Sequence, residues 1–185
     1  MLPIRAFLFA MSLFLASCAT NYKHVASGEA PLAVSVGALQ MQLPAGWAVP
    51  QEVNGGHTST SPSGERLEIV YLRPPQGTPS AVTLTAENTL AAFVSAKQAR
   101  LEKNPDITVA QSYSLYQVKD GHITVKGAFD YLNADGKRAY TIQYLIAESG
   151  KIFMITFDGT GDVSSNLEKF DGILDSVRWP PMEGH

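Results

Sequence analysis

Along this chain, hydrophobic positions recur every second residue in some stretches and at helical spacing in others. Leu39-Gln40-Met41-Gln42-Leu43 alternates apolar and polar, which predicts a half-buried strand. Pro44-Ala45-Gly46-Trp47 stops it, because Pro cannot donate to a ladder and Gly permits a turn. A hairpin follows, with Ser61-Pro62-Ser63-Gly64 as its turn and Leu67–Leu72 as its second arm. Pro74, Pro75, Gly77 and Pro79 then make a rigid loop. Thr85 is placed to cap a helix over 86–103. Leu90, Phe93, Val94, Lys97 and Leu101 share one side of it, with Lys97 as a snorkelling member of the stripe. Asn104-Pro105 ends it.

The next stretch reads as four strands. Ile107–Val118 runs to Lys119-Asp120-Gly121. His122–Leu132 puts Ile123, Val125, Phe129 and Tyr131 on one face. After Asn133-Ala134-Asp135-Gly136, Arg138–Ala147 does the same with Tyr140, Ile142, Tyr144 and Ile146. Glu148-Ser149-Gly150 leads into Lys151–Phe157. Connections this short force antiparallel neighbours. A closing helix is expected over 163–175, with Val163, Leu167, Phe170 and Leu174 at helical spacing, then a short strand over 176–179. The sum is an α+β domain: an antiparallel meander packed with two main helices.

The N-terminus has a different character. Arg5 is the only charge in residues 1–17, and the apolar run 6–16 is shorter than the roughly 20 residues a bilayer crossing needs. A charged start, a short apolar run and small residues at its end fit an export signal. Leu15-Ala16-Ser17-Cys18 resembles the lipobox of bacterial lipoproteins. The resemblance implies cleavage between Ser17 and Cys18, and fatty chains on Cys18. Several acyl chains, at about 0.8 kcal/mol per buried CH₂, anchor stably where one does not. An ordinary secretory leader with an incidental cysteine is the competing reading. Cys18 is the only cysteine, so it has no intramolecular disulfide partner. A free exposed thiol in an oxidising compartment is a liability that lipidation removes. In Gram-negative sorting, Asp after the cysteine favours inner-membrane retention; Ala19 therefore implies the outer membrane, facing the periplasm.

The expected organisation is a signal peptide at 1–17, the lipidated cysteine and a tether at 18–33, one domain at 34–179, and a tail at 180–185. The chain is 45% hydrophobic and 17% charged, a globular balance. Without residues 1–17 the formal net charge is −4. An acidic balance without basic runs argues against a nucleic-acid footprint and against electrostatic attraction to anionic headgroups. The expected membrane contact is the lipid.

The order of elements is similar to the PsbP/Mog-like fold family, which includes bacterial lipoproteins of the DcrB and LpqN kind. The markers are Leu43-Pro44-Ala45-Gly46-Trp47, the central helix, the meander through Tyr140, Gly150–Phe157, and the ending Ile173–Trp179. The resemblance covers 34–179. It implies a non-catalytic accessory or binding role, and it carries over no catalytic residues.

Chemistry is sparse. His24, His57, His122 and His185 show no metal-ligand spacing and read as solvated surface residues. Asp130 and Asp135 read as solvated or turn residues, too far apart for an acid pair. Gly159-Thr160-Gly161 precedes a helix as an anion cradle does, but Asp158 and Asp162 flank it, which favours plain turn and capping chemistry. No catalytic residue, cofactor or metal is implied. The aromatic set Phe129, Tyr131, Tyr140, Tyr144 and Trp179 has two readings: a groove lining, or core rings whose polar tips reach the sheet edge. The expected function is an envelope lipoprotein that binds an envelope protein partner. The alternatives are a carrier of a small apolar ligand and an enzyme of unrecognised type.

Overall fold

The computed structural model describes residues 30–72, 86–101, 103–104, 106–119, 122–148 and 151–179. In chain order its elements are β1 (Leu32–Val36), β2 (Leu39–Leu43), β3 (Gln51–Val53), β4 (Gly56–Thr60), β5 (Arg66–Leu72), α1 (Ala86–Leu101), β6 (Ile107–Lys119), β7 (His122–Leu132), β8 (Arg138–Glu148), β9 (Lys151–Thr160) and α2 (Leu167–Asp175). The fold is α+β. Seven strands form one antiparallel sheet in the order β3-β4-β5-β9-β8-β7-β6, and β1 pairs with β2 in a separate two-stranded hairpin.

The expected meander is β6 to β9. Lys119 pairs with His122 and Glu148 with Lys151, so two positions make each connection; those positions lie outside the described residues. Between β7 and β8, Asn133 Oδ1 accepts the N–H groups of Asp135 and Lys137, and Gly136 takes φ 71°. That side chain replaces ladder bonds the backbone cannot make across a turn. Asn54 and Gly55 adopt φ 53° and 78° between β3 and β4, the left-handed pair that a two-residue hairpin requires.

Alternation sends β8 and β9 side chains to two different layers. Tyr140, Ile142, Tyr144 and Ile146 of β8, with Phe153, Ile155 and Phe157 of β9, face α2, the β1–β2 hairpin and Trp47. Phe170 of α2 stacks on Phe157 with ring centroids 4.3 Å apart, and Trp47 meets Phe157 edge-on. On the opposite face, Leu90, Phe93 and Val94 of α1 pack on Leu145, Ala147 and Ile152. The expected stripe on α1 therefore faces the sheet; Thr85, its expected cap, lies outside the described residues.

Four expectations about the elements and their burial change here, and two more, on His122 and the aromatic set, change below. The domain opens at Leu32 rather than Val34, because Leu32–Val36 zips along β2 from Leu43 to Leu39. The last helix starts at Leu167 rather than 163: Asp162 Oδ1 accepts the Ser164 N–H and Asp162 O accepts from Asn166 Nδ2, which holds 162–166 in a turn. Only an isolated bridge, Gln40 to Arg178, stands where a last strand was expected. Asp130 is buried rather than solvated, for reasons given below.

Candidate binding clefts

Residues Leu15, Ala16, Ser17 and Cys18 lie outside the described residues, as do His24 and His185. The aromatic set does not form one groove. Tyr140 and Tyr144 are buried on the α2 face of β8, and burial raises both phenol pKa values above the ordinary tyrosine range. Phe129 and Tyr131, at odd positions of β7, point to the opposite face toward the C-terminal turn of α1. Trp179 lies elsewhere, edge-on to Phe153 and stacked on His122 at 4.2 Å with planes 11° apart. His122 is thus half-buried against a ring, not solvated.

Phe129 and Tyr131 form one wall of a cleft of about 450 Å³ between α1 and the sheet. Lys97 and Leu101 of α1 make the opposite wall. Ile107 and Tyr113 of β6 close one side, and Leu132 stands at the mouth, 66% exposed. Thr141 and Gln143 of β8 are the floor. Asn104 and Asp106 form the rim, where the Asp106 N–H donates to Asn104 Oδ1 at 3.1 Å.

The polar groups of the floor are engaged with neighbours on the sheet. Thr141 Oγ1 donates to Asp158 Oδ1 at 2.5 Å. Tyr113 Oη donates to Gln143 Oε1, and Gln143 Nε2 donates to Thr156 Oγ1 at 3.2 Å. Burial raises the Tyr113 pKa, so it stays a neutral donor. Tyr113 reaches across β7 because residue 127 is glycine: a Cβ there would stand 2.8 Å from Tyr113 Cδ1 and 2.9 Å from Phe129 Cζ. The two rings meet over that gap with centroids 5.4 Å apart. Sequence reasoning named Phe129 and Tyr131 within a larger aromatic set and Lys97 within the helix stripe, without bringing the two together as a cleft. It missed Tyr113, Thr141 and Gln143.

A second hollow, about 340 Å³, lies between the β1–β2 turn at Gly37 and the β3–β4 hairpin at Gly55, Gly56 and His57. Ile69, Tyr71 and Phe153 floor it.

The charged groups near α2 hold the fold together. Lys126 Nζ donates to both Asp171 oxygens at 3.0 and 2.9 Å, and Tyr144 Oη donates to Asp171 Oδ1 at 2.6 Å. Lys169 pairs with Glu65, which also accepts from Ser61 and Ser63. Burial pushes the Glu65 pKa up, but hydrogen bonds from Lys169, Ser61 and Ser63 outweigh it and bring the value to about 2. Asp130 is buried because its two oxygens accept from Arg138 at 3.2 Å and from the Val163 N–H at 3.3 Å. Arg138 also meets Asp162, so this cluster ties the turn before α2 to β7 and β8. Among the described residues no three His, Cys, Asp or Glu side chains converge as a metal site would need.

No family model matches the chain, and no curated protein matches it in sequence. Solved structures do. CyanoP, the cyanobacterial PsbP of Synechocystis sp. PCC 6803, superposes with a TM-score of 0.55 and 15% identity, over 90% of this chain and 99% of that one. LpqN of Mycobacterium tuberculosis, described as involved in cell envelope biogenesis, superposes with a TM-score of 0.52 and 15% identity, over 82% of this chain and 91% of that one. At such identity the agreement speaks for architecture alone. The chain has the PsbP-like fold that CyanoP and LpqN share.

Proposed function

We propose that this protein is a lipid-anchored module of the bacterial cell envelope that works by binding, without catalysis, through the cleft between α1 and the sheet. The observation that carries the reading is Leu15-Ala16-Ser17-Cys18 at the end of an apolar leader, holding the chain's only cysteine. The description of LpqN as an envelope-biogenesis protein supports the same compartment. No described helix is long and apolar enough to cross a membrane. Residues 19–31 reach at most about 45 Å when extended, so a lipid on Cys18 would keep the domain close to the bilayer. Ala19 supports an outer-membrane address facing the periplasm.

The cleft supports binding because aromatic walls and a polar floor engaged with the sheet suit contact better than proton transfer. Its occupant in this reading is an envelope protein segment. The apolar walls at Phe129, Tyr131 and Leu132 favour a second reading, a small apolar ligand.

Two experiments test the proposal. Cys18→Ala should abolish acyl labelling and move the protein from the membrane to the soluble fraction; retention with labelling intact would refute the anchor. A photo-crosslinking residue at Leu132, at the mouth of the cleft, should capture a partner in cells, while one at exposed Val49 should not. Equal capture from both sites would refute the cleft as the binding site.

A further inference from the structure

Lys97 is the ammonium on the cleft wall, and it is placed unlike the other lysines that face element interfaces. Lys126 and Lys169 each meet a carboxylate. Among the described residues Lys97 forms no ion pair; its described contact is with the Phe93 ring, 5.6 Å from the centroid. It is half-buried in the apolar stripe of α1, between the Phe93 and Leu101 turns. Burial and the like charge of Arg100 both lower its pKa. A cation held this way is stabilised by an incoming anion more than a solvated surface lysine would be.

The rest of the cleft narrows what that anion is. The Thr141 and Tyr113 hydroxyls are spent on Asp158 and Gln143, and Gln143 Nε2 already donates one N–H to Thr156, so the floor offers far less to a charged group than Lys97 does. The remaining walls are the ring faces of Phe129 and Tyr131 and the side chains of Leu101, Ile107 and Leu132. The volume of about 450 Å³ falls within the range of small-molecule sites. The exposed Asp106 at the rim disfavours a doubly charged head.

We propose that this cleft takes a single-chain amphiphile with a monoanionic carboxylate head, the head on Lys97 and the chain along Phe129, Tyr131 and Leu132. The idea rests on the binding role assigned to this cleft above; it takes the second reading, a small ligand in place of a protein segment, and gives that ligand a chemical class. The carboxylate would supply the partner that Lys97 lacks among the described side chains. The chain would cover Leu132, an apolar side chain that the described fold leaves in water.

The test uses the mature chain carrying Cys18→Ser, so that no acyl group of its own competes. Titration calorimetry is run with laurate, dodecanol and acetate. Laurate should bind at least about tenfold more tightly than dodecanol, and acetate should show no saturable binding. Lys97→Gln should shrink the laurate-over-dodecanol preference to less than about threefold, and Lys97→Arg should restore most of it. Unchanged thermal unfolding of both variants would exclude a folding defect. No laurate binding, or a preference unmoved by Lys97→Gln, would overturn the proposal. If laurate fails while the Leu132 crosslinker still captures a protein, the amphiphile is wrong and the binding role of the cleft stands. If both fail, the cleft itself is the wrong site.

Discussion

Replacing Lys126 by Met should unfold this protein more easily than the loss of one surface ion pair would. The Lys126 side chain is 9% exposed and that of Asp171 is 27%. Methionine keeps the stem that packs beside Tyr116 and removes only the ammonium, which sits 4.9 Å from that ring. Asp171 then keeps one good donor, Tyr144 Oη, and partial access to water. Removing one member of a fully buried pair costs about 3–5 kcal/mol; the exposure of Asp171 brings the expected loss to about 2–3 kcal/mol. With an m-value of about 1–3 kcal/mol/M, the urea midpoint should fall by roughly 1 M or more while m stays constant. The double variant Lys126→Met/Asp171→Asn keeps an acceptor for Tyr144 and removes the orphaned charge. Its loss should be about 1 kcal/mol, smaller than that of the single variant. A single-variant loss below about 0.5 kcal/mol, or a double variant less stable than the single, would refute the claim that charge burial governs this contact.

Two further outcomes are expected. The Glu65 pKa is depressed from 4.5 to about 2 on folding, so its stabilisation is complete above pH 4.5 and is lost as pH falls from there toward about 2. After screening on its open side this amounts to roughly 1–2 kcal/mol. Glu65→Gln should flatten acid unfolding in that window, and an unaltered acid limb in circular dichroism would contradict the assignment. Gly127→Ala should force the Tyr113 and Phe129 rings apart and cost about 1–3 kcal/mol in chemical denaturation, and a neutral result would mean the rings have slack that the geometry does not show.

The meander was legible in the sequence because each of its strands carries its own evidence. Period-two hydrophobicity in β7 and β8 fixes which side chains share a face, and the turns between strands are built from Asn, Asp, Ser and Gly. The β3–β4 hairpin escaped notice although Asn54-Gly55 is a strong hairpin signal, because Gln51-Glu52-Val53 is exposed throughout and shows no hydrophobic period. Asp130 looked solvated because its burial depends on Arg138 from β8 and on the Val163 amide, neither of which is its neighbour in sequence. The aromatic set was read as one group, because parity within a strand does not say which face of the sheet that parity meets. Parity shows that Phe129 and Tyr140 are on different faces only after Phe129 is paired with Thr141 and Tyr140 with Asp130. The cleft itself exists only once α1 lies across β6 to β8, and no local pattern encodes that placement.

The contact between the β1–β2 hairpin and the segment after α2 constrains the order in which the molecule can form. Gln40 and Arg178 exchange backbone hydrogen bonds at 3.0 and 2.8 Å, and Gln42 binds Ser176, 134 positions away. A ribosome delivers one side of this clasp well before the other, because 134 positions separate Gln42 from Ser176. Until then Leu39, Met41 and Leu43 lack the α2 residues that cover them in the finished core. Closure of so long a loop comes late and slowly. The core under the β1–β2 hairpin is therefore sealed only after the whole sheet and α2 between the two sides of the clasp have been made.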